Sequence, residues 1–413
     1  MNQAPAPEPA AEPLRCEVLV VGGGPAGSTI AALLARQGRD VVLLEKEHHP
    51  RFHIGESLLP IDLPIFARLG VEMDPTRWQY KQGAEFIDER TSEFAFFSFA
   101  DGLPGTPSHA WQVERAEFDH MLAALAARQG ATFSYGERVT AIDTDDHGAR
   151  VTTDRATHEA RYVIDATGQD ALLGKRDRTI APLHELGRAA VFCHFHGLSE
   201  AVRAELSRQG NIKVVIVEDG WHWLIPLTDG RLSVGLVKWR GKIDDEAFEA
   251  ALAGSPLIQR LTAGATRTPT RTLRNWSYKN TRPSGARWAC VGDSCAFLDP
   301  VFSSGVSLAM LGAERTADVL IPALAAGTEG AADLLAPVHA SMQIAYDSFE
   351  QLIRRFYHTK MVSHLFFAPK PDPLLRKGLI SMLAGDVWRS DNPFQDMLRT
   401  SRVQPQRVQT QAP

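Results

Sequence analysis

The sequence predicts an α/β chain: a nucleotide-binding domain assembled from separated stretches, an inserted antiparallel β-sheet, and a helical C-terminal segment. Three observations predict it. Strand, glycine turn, helix, strand and acid follow one another over 16–45. Two more apolar runs that end in glycine turns, 163–168 and 288–293, stand far from it along the chain. Between them lie short runs of strand character. The 413 residues are enough for two or three domains. A content of 44% hydrophobic and 23% charged residues is that of an ordinary soluble protein. A net charge of −5 lacks the basic excess of a nucleic-acid binder. No apolar run reaches the ~18 residues of a membrane helix.

Residues 16–21 form a compact apolar run, read as a buried parallel strand. Gly22-Gly23-Gly24-Pro25-Ala26-Gly27 follows at once, and Ile30, Leu33 and Leu34 then recur at helical spacing. Gly38 stops the helix. Residues 40–44 return as a second buried strand, which ends in Glu45. In this order Gly22 allows the tight turn, Gly24 lets the backbone approach a pyrophosphate, and Gly27 lets helix and strand pack closely. The helix N-terminus offers free N–H groups and a dipole to the phosphates. Glu45 stands where a carboxylate takes the ribose hydroxyls.

The runs 94–99, 189–196, 212–217, 221–227 and 232–237 are expected to form one antiparallel sheet over the nucleotide domain. Past residue 330 the pattern turns helical, over 334–356 and 374–387. Residues 1–13 are rich in Ala, Pro and Glu and lack a signal-peptide pattern. They and the polar last dozen are expected to be disordered. The four cysteines have no C-x-x-C or zinc spacing, so free thiols in a reducing cytoplasm are expected.

Val163-Ile164-Asp165-Ala166-Thr167-Gly168 and Trp288-Ala289-Cys290-Val291-Gly292-Asp293 resemble the second and third fingerprints of the FAD proteins related to p-hydroxybenzoate hydroxylase. The resemblance implies FAD, with Asp293 on the ribityl chain and a helix over 306–320 opening against the isoalloxazine. Arg115 resembles the family arginine near the cofactor; read alone, it is a solvated arginine at a helix start. The implied cofactor set is Gly22, Gly24, Ala26, Gly27, Glu45, Lys46, Arg51, Arg115, Val139, Asp165, Gly168, Gly292, Asp293 and Gly305. The implied division gives 15–75, 110–180 and 282–330 to a Rossmann-type FAD domain. It gives 76–109 and 181–281 to a substrate-side sheet, 331–400 to C-terminal helices, and 1–14 and 401–413 to disordered tails.

In that company Trp221-His222-Trp223-Leu224-Ile225-Pro226 resembles the W-x-W-x-I-P mark of the flavin-dependent halogenases. It separates them from aromatic hydroxylases of the same fold. The resemblance implies that reduced FAD and oxygen give a flavin hydroperoxide, which chloride or bromide attacks to form hypohalous acid. Trp78-Gln79-Tyr80-Lys81-Gln82-Gly83-Ala84-Glu85-Phe86 resembles the segment that holds the active-site lysine. It lies at the expected distance after Gly55-Glu56-Ser57-Leu58-Leu59-Pro60. Lys81 would steer the halogen as a hydrogen-bonding ammonium, or as an amine of lowered pKa that forms a chloramine. Without those flanks Lys81 reads as a surface lysine at a strand start.

Trp221, Trp223 and Pro226 would wall the flavin from the substrate, although tryptophans at this spacing are also ordinary core. The backbone N–H groups of Ser304 and Gly305 would form an anion nest for the halide. The competing reading there is a plain helix N-terminus capped by Ser303 or Ser304.

One departure narrows the substrate. Tryptophan-specific relatives have a glutamate shortly before the Ser/Thr-Gly pair, where this chain has Phe302. That matches the branch acting on phenols and pyrroles, free or tethered to an acyl or peptidyl carrier protein. The implied setting is secondary metabolism in the cytoplasm, with a separate NAD(P)H flavin reductase as partner. Arg354, Arg355, Lys360, Lys370, Arg376 and Lys377 surround Phe356, Tyr357, Phe366 and Phe367. They read as a basic face with exposed aromatics for an acidic carrier or a membrane surface, or as a solvated face over packed core. His48, His49 and His53 read as a solvated or FAD-facing loop, and His194 and His196 as satisfied strand histidines, with no metal expected. Rival functions are an aromatic hydroxylase or reductase of this fold, and a non-catalytic FAD scaffold that docks a carrier protein.

Overall fold

The computed structural model describes residues 14–400 apart from 185, 187–188, 240, 275–276 and 360. The expected tails lie outside the described residues except for Leu14. The glycine-turn unit folds as the centre of a first sheet. Ser284–Gly285, Trp288–Cys290, Thr157–Asp165, Arg15–Val21, Val41–Glu45 and Thr132–Tyr135 are neighbours in that order. The four central pairings are parallel. A hairpin, Val139–Thr144 with Ala149–Thr153, adds antiparallel to the start of Thr157–Asp165.

Strands buried on both faces need apolar residues at every position. Val18, Val20 and Leu43 accordingly face the main core under the helices Pro25–Arg36 and Gly305–Ala326. Leu19, Val21, Val42 and Leu44 face a smaller core under the hairpin. Gly27 lets the first helix lie on the sheet, because a Cβ there would stand 1.9 Å from the Gly22 carbonyl oxygen.

The second sheet runs Thr266–Arg267, Ala189–His196, Leu232–Lys238, Gly220–Pro226, Ile212–Val217, Gly83–Asp88, Glu93–Ser98, with Arg271–Arg274 also on Ala189–His196. All five expected runs are strands in it. It is not antiparallel throughout: Gly83–Asp88 pairs parallel with Ile212–Val217. The long connection between them supplies the crossover that parallel pairing requires. Gly83–Asp88 is a strand that the sequence reading did not name separately.

Alternation sorts this sheet's two faces. Trp221, Trp223 and Ile225 face the main core. Leu224, Val215 and Leu236 face a satellite core closed by Phe248, Leu252 and Ile258. His222 shares the satellite face and is fully buried, and burial holds its ring down to about 4 from 6.5. The folded chain therefore keeps His222 neutral while the unfolded chain protonates it. Its effect is nil above 6.5 and grows into a penalty as pH falls toward 4, reaching about 3 kcal/mol. We expect His222→Leu to lose distinctly less stability than wild type over that range, read from urea midpoints against pH. Parallel curves for the two proteins would contradict it.

The C-terminal part packs across the sheets as Ala336–His358, Val362–Phe366, Pro373–Leu383 and Pro393–Thr400. Of the two readings of the basic stretch, that of exposed aromatics is corrected and that of a face over packed core agrees with the structure. Phe356, Phe366 and Phe367 are buried, and the Phe366 ring lies 4.6 Å from Phe86 and 5.2 Å from Phe97. The arginines turn inward: Arg355 donates to the Leu398 carbonyl (2.7 Å), Arg376 to the Phe96 carbonyl (2.8 Å), and Arg354 pairs with Glu350. Lys370 and Lys377 are exposed, and Lys360 lies outside the described residues. Among the described residues no helix is long and apolar enough to cross a membrane.

Candidate active site

A cavity of about 760 Å³ opens at the carboxyl ends of the parallel strands, under the inner face of the second sheet. This is where open α/β sheets bind ligands. Gly22, Gly24, Ala26, Glu45, Lys46, Arg51, Arg115, Val139, Gly168, Asp293 and Gly305 line it, as do Trp221 and Trp223.

The turn after the first strand has the geometry its glycines predict. Gly22 has φ +104°, and a Cβ there would meet the Ala166 carbonyl oxygen at 2.4 Å. Gly24 is the open one: a Cβ there would find within 4 Å only Arg51 Nη2, at 3.9 Å, so the space beside it is cavity. Glu45 Oε2 accepts from the Gly23 N–H (2.7 Å) and Oε1 from the Glu47 N–H (2.9 Å), which fixes the carboxylate at the wall. Gly23 was missed by the sequence reading; a Cβ there would crowd Glu45 Oε2 at 3.2 Å. Lys46 pairs with Asp170. Arg51 lies 3.5 Å from Glu45 and 3.6 Å from Asp119.

Arg115 is buried rather than solvated. It grips Asp119 with Nε and Nη2 (2.8 and 3.0 Å) and donates to the Ile54 carbonyl at 2.6 Å. Asp293 lines the cavity, and its poorly hydrated surroundings push its carboxyl up to about 7 against the pull of Arg115. His53 also lines the cavity, whereas His48 and His49 pack around Tyr135.

Four residues of the expected cofactor and halide set stand off the cavity. Asp165 is a turn residue: it accepts from Thr167 N and Oγ1 (3.0 and 2.6 Å) and Leu173 N (2.8 Å). Gly27 and Gly292 act by close packing, and a Cβ at Gly292 would stand 2.9 Å from the Ala26 Cβ. Ser304 is buried behind Gly305 and makes no side-chain cap bond to the 22-residue helix that follows. Ser303, which does line the cavity, turns the chain there with φ +57°.

Of the three residues of the expected wall, two line the cavity, Trp221 and Trp223. Trp221 and Trp223 lie 6.2 Å apart, and Gly235 on the neighbouring strand leaves room for the second indole. Trp221 Nε1 donates to Tyr357 Oη (3.0 Å), and Tyr357 in turn donates to Asp299 (3.0 Å), which begins the turn leading to Gly305. Pro226 ends the strand without reaching the cavity.

Lys81 is neither exposed nor on the cavity surface. It is 1% exposed, and Nζ donates to Ser57 Oγ and to the Leu58 carbonyl, both at 2.8 Å. Ser57 lines the cavity, so the hydroxyl stands between the lysine and the open space. Burial lowers the ammonium to about 7, partly countered by Asp62. Asp62 is itself buried and raised to about 7, although Ser307 Oγ (2.9 Å) and the Leu59 N–H (3.1 Å) donate to it. Sequence reading missed Ser57, Asp62 and Tyr357. Ser57 was the most visible, because it lies inside the Gly55–Pro60 stretch that precedes the lysine segment.

Positive-φ Gly22, the open flank of Gly24 and the fixed carboxylate of Glu45 fit a dinucleotide, and the cavity's length to Asp293 and Gly305 fits a flavin beyond it. Fold and cavity together are those of an FAD-binding protein. The chain belongs to the tryptophan halogenase family, whose model matches residues 17–107 and 101–368. It is 34% identical over 318 residues to a tryptophan 2-halogenase of Chondromyces crocatus, covering 72% of this chain and 59% of that protein. It is 29% identical over 415 residues to a 1H-pyrrole-2-carbonyl peptidyl-carrier-protein brominase of Pseudoalteromonas luteoviolacea, covering 92% of this chain and 96% of that one. A solved flavoprotein/dehydrogenase of Cytophaga hutchinsonii superposes with a TM-score of 0.84 at 29% identity, over 92% of this chain and 95% of the other. The chain thus spans less than two thirds of the first of these relatives and nearly all of the second.

Proposed function

We propose that the chain uses reduced FAD, oxygen and chloride or bromide to halogenate an electron-rich aromatic, a phenol or a pyrrole. The observation that carries this reading is Lys81, buried beside the flavin end of the cavity and hydrogen-bonded to Ser57. A lysine held at a pKa near 7 by burial costs stability, and such groups concentrate at functional sites.

FAD supplies the oxygen activation. Gly22, Gly24 and the N-terminus of Pro25–Arg36 hold its diphosphate, and Glu45 takes the ribose. The halide sits at the N–H groups around Gly305, where the first amides of a long helix lack partners within it. Trp221 and Trp223 keep an aromatic substrate off the flavin, with Trp221 braced by Tyr357. An ammonium has three donors. Two of those on Lys81 go to Ser57 and Leu58, so the lysine acts on the oxidised halogen through the Ser57 hydroxyl, which lines the cavity.

Phe302, in the position where tryptophan-specific relatives have a glutamate, favours a ring that loses its proton without a dedicated base. Similarity along 96% of a brominase of carrier-bound pyrrole supports a carrier-tethered substrate. A separate flavin reductase completes the reading. A second reading, an NAD(P)H-using reductase or hydroxylase, is favoured by the likeness to the solved flavoprotein/dehydrogenase.

Chemically reduced FAD, oxygen and bromide, with pyrrole and phenol scavengers followed by mass spectrometry, separate the two. We expect brominated ring above the enzyme-free control and no rapid flavin reduction by NAD(P)H alone. Rapid reduction by NAD(P)H, with hydrogen peroxide as the sole product, would replace the halogenase reading with the second.

A further inference from the structure

Lys81 has a buried counter-charge in Asp62, which closes the turn Pro60–Asp62 and is fully shielded from water. Asp62 Oδ2 accepts twice, from the Leu59 N–H at 3.1 Å and from Ser307 Oγ at 2.9 Å. Its Oδ1 has no hydrogen-bond partner in the protein. A carboxylate in such a place costs stability unless an opposite charge offsets it. Burial raises the Asp62 carboxyl against Ser307, Leu59 and the charge of Lys81, and Asp62 in return counters the burial of the lysine.

The two side chains make no direct hydrogen bond; one peptide group links them. The Leu58 carbonyl accepts from Lys81 Nζ at 2.8 Å, and the N–H of the same peptide, on Leu59, donates to Asp62. An amide held by a cation at its oxygen and an acid at its nitrogen is polarised from both ends, which strengthens both bonds. Lys81 Nζ also donates to the hydroxyl of Ser57, just before that peptide and on the cavity wall. A line of polar groups therefore runs inward from the cavity: the Ser57 hydroxyl, Lys81, the Leu58–Leu59 peptide and Asp62. Its inner end is pinned by Ser307, 245 positions away in sequence, in the first turn of Gly305–Ala326. An acid that merely capped the turn would need the Leu59 N–H alone. It would need neither a hydroxyl from that helix nor a lysine across the same peptide.

We propose that Asp62 is a positioning residue, which fixes the Leu58–Leu59 peptide and through it holds Lys81 against Ser57 at a set spacing from the helix that begins at Gly305. The lysine, the Ser57 hydroxyl and the helix start then move as one unit. The effect on rate rests on the halogenase reading, whereas the effect on the lysine's position rests on the hydrogen bonds alone.

The test combines bromination kinetics on a phenol scavenger with crystal structures of Asp62→Ala and Asp62→Asn. Asparagine keeps an oxygen at Oδ2 and puts its amide where Oδ1 has no partner, so both accepted bonds survive; alanine loses both. Asp62→Ala should lower kcat about tenfold or more, the cost of a misplaced reacting group, with KM for bromide and affinity for FAD within about twofold of wild type. Asp62→Asn should recover kcat to within about threefold. Its crystal structure should keep Lys81 Nζ on Ser57 and Leu58, and that of Asp62→Ala should show the peptide turned and the lysine off Ser57. Should Asp62→Ala fail to fold, Ser307→Ala serves, because it removes one donor to Asp62 at a helical position where alanine is favoured; kcat should fall about threefold with FAD affinity kept. Wild-type kcat in either alanine variant, a lysine unmoved in Asp62→Ala, or FAD affinity lost in parallel with kcat overturns the positioning role. A wild type that brominates nothing overturns the halogenase reading instead, and the crystal structures then decide on Asp62 by themselves.

Discussion

Gly24→Val is expected to purify folded but colourless, with affinity for FAD reduced at least about a hundredfold. The reason is local and separable from folding. Gly24 sits at φ −73° and ψ −172°, extended backbone that any residue adopts, so the substitution brings no conformational strain. Its Cβ would meet nothing of the protein closer than Arg51 Nη2 at 3.9 Å. The isopropyl group therefore projects into cavity, beside the N-terminus of Pro25–Arg36, where a diphosphate must approach the amides. The neighbouring glycines differ in kind. A Cβ at Gly22 or Gly27 would strike a backbone carbonyl within 2.4 Å, so those positions concern the fold as well as the ligand. Flavin absorbance of the purified protein, FAD titration and the thermal transition of the apo form check the prediction together. A yellow variant of normal affinity would show that the glycine turn is not the diphosphate site.

What the sequence made legible was local. The glycine turn, the acid at Glu45 and the alternation around Trp221 are set by residues within a few positions of one another, and their periodicity is visible without a partner. Pairings between distant segments were not visible in that way. Lys81 reads as exposed by its type; it is buried because Ser57, Leu58 and Phe99 close around it. The basic C-terminal stretch looked like a surface because its arginines are charged, yet Arg355 and Arg376 end on backbone carbonyls of other segments. Asp165 was placed at the cofactor by its position in a motif, but its carboxylate is consumed by the turn that follows its own strand. For Lys81 and the two arginines the deciding contact spans a separation that periodicity does not encode, whereas for Asp165 it is a local turn. Glu56 and His194, 138 positions apart, meet at 2.6 Å in a contact of the same long-range kind.

Lys81→Ala is expected to retain FAD and to lose halogenation by about a hundredfold or more, the scale of removing a proton donor or nucleophile from a reaction. Retained FAD follows from geometry, since Lys81 does not line the cavity and touches it only through Ser57. Alanine leaves a hole, so Lys81→Met is the better-filled companion, and it carries a stability prediction of opposite sign. The folded lysine titrates near 7 and the unfolded one near 10.5. Between these values the unfolded chain holds the extra proton, so the charged lysine's penalty is complete below about 7 and fades as pH rises toward 10.5. Lys81→Met removes that penalty, and Asp62, already raised to about 7, can take a proton instead of standing as an unpaired charge. The methionine variant should therefore melt no lower than wild type at neutral pH while being inactive, a combination that core packing alone does not produce. The pH profile of the wild type then separates the two chemical roles. A working ammonium gives halogenation that declines above about 7, and a working amine gives halogenation that rises through it. Full activity in Lys81→Met would remove the lysine from the reaction and leave Ser57 as the nearest polar group on the cavity wall.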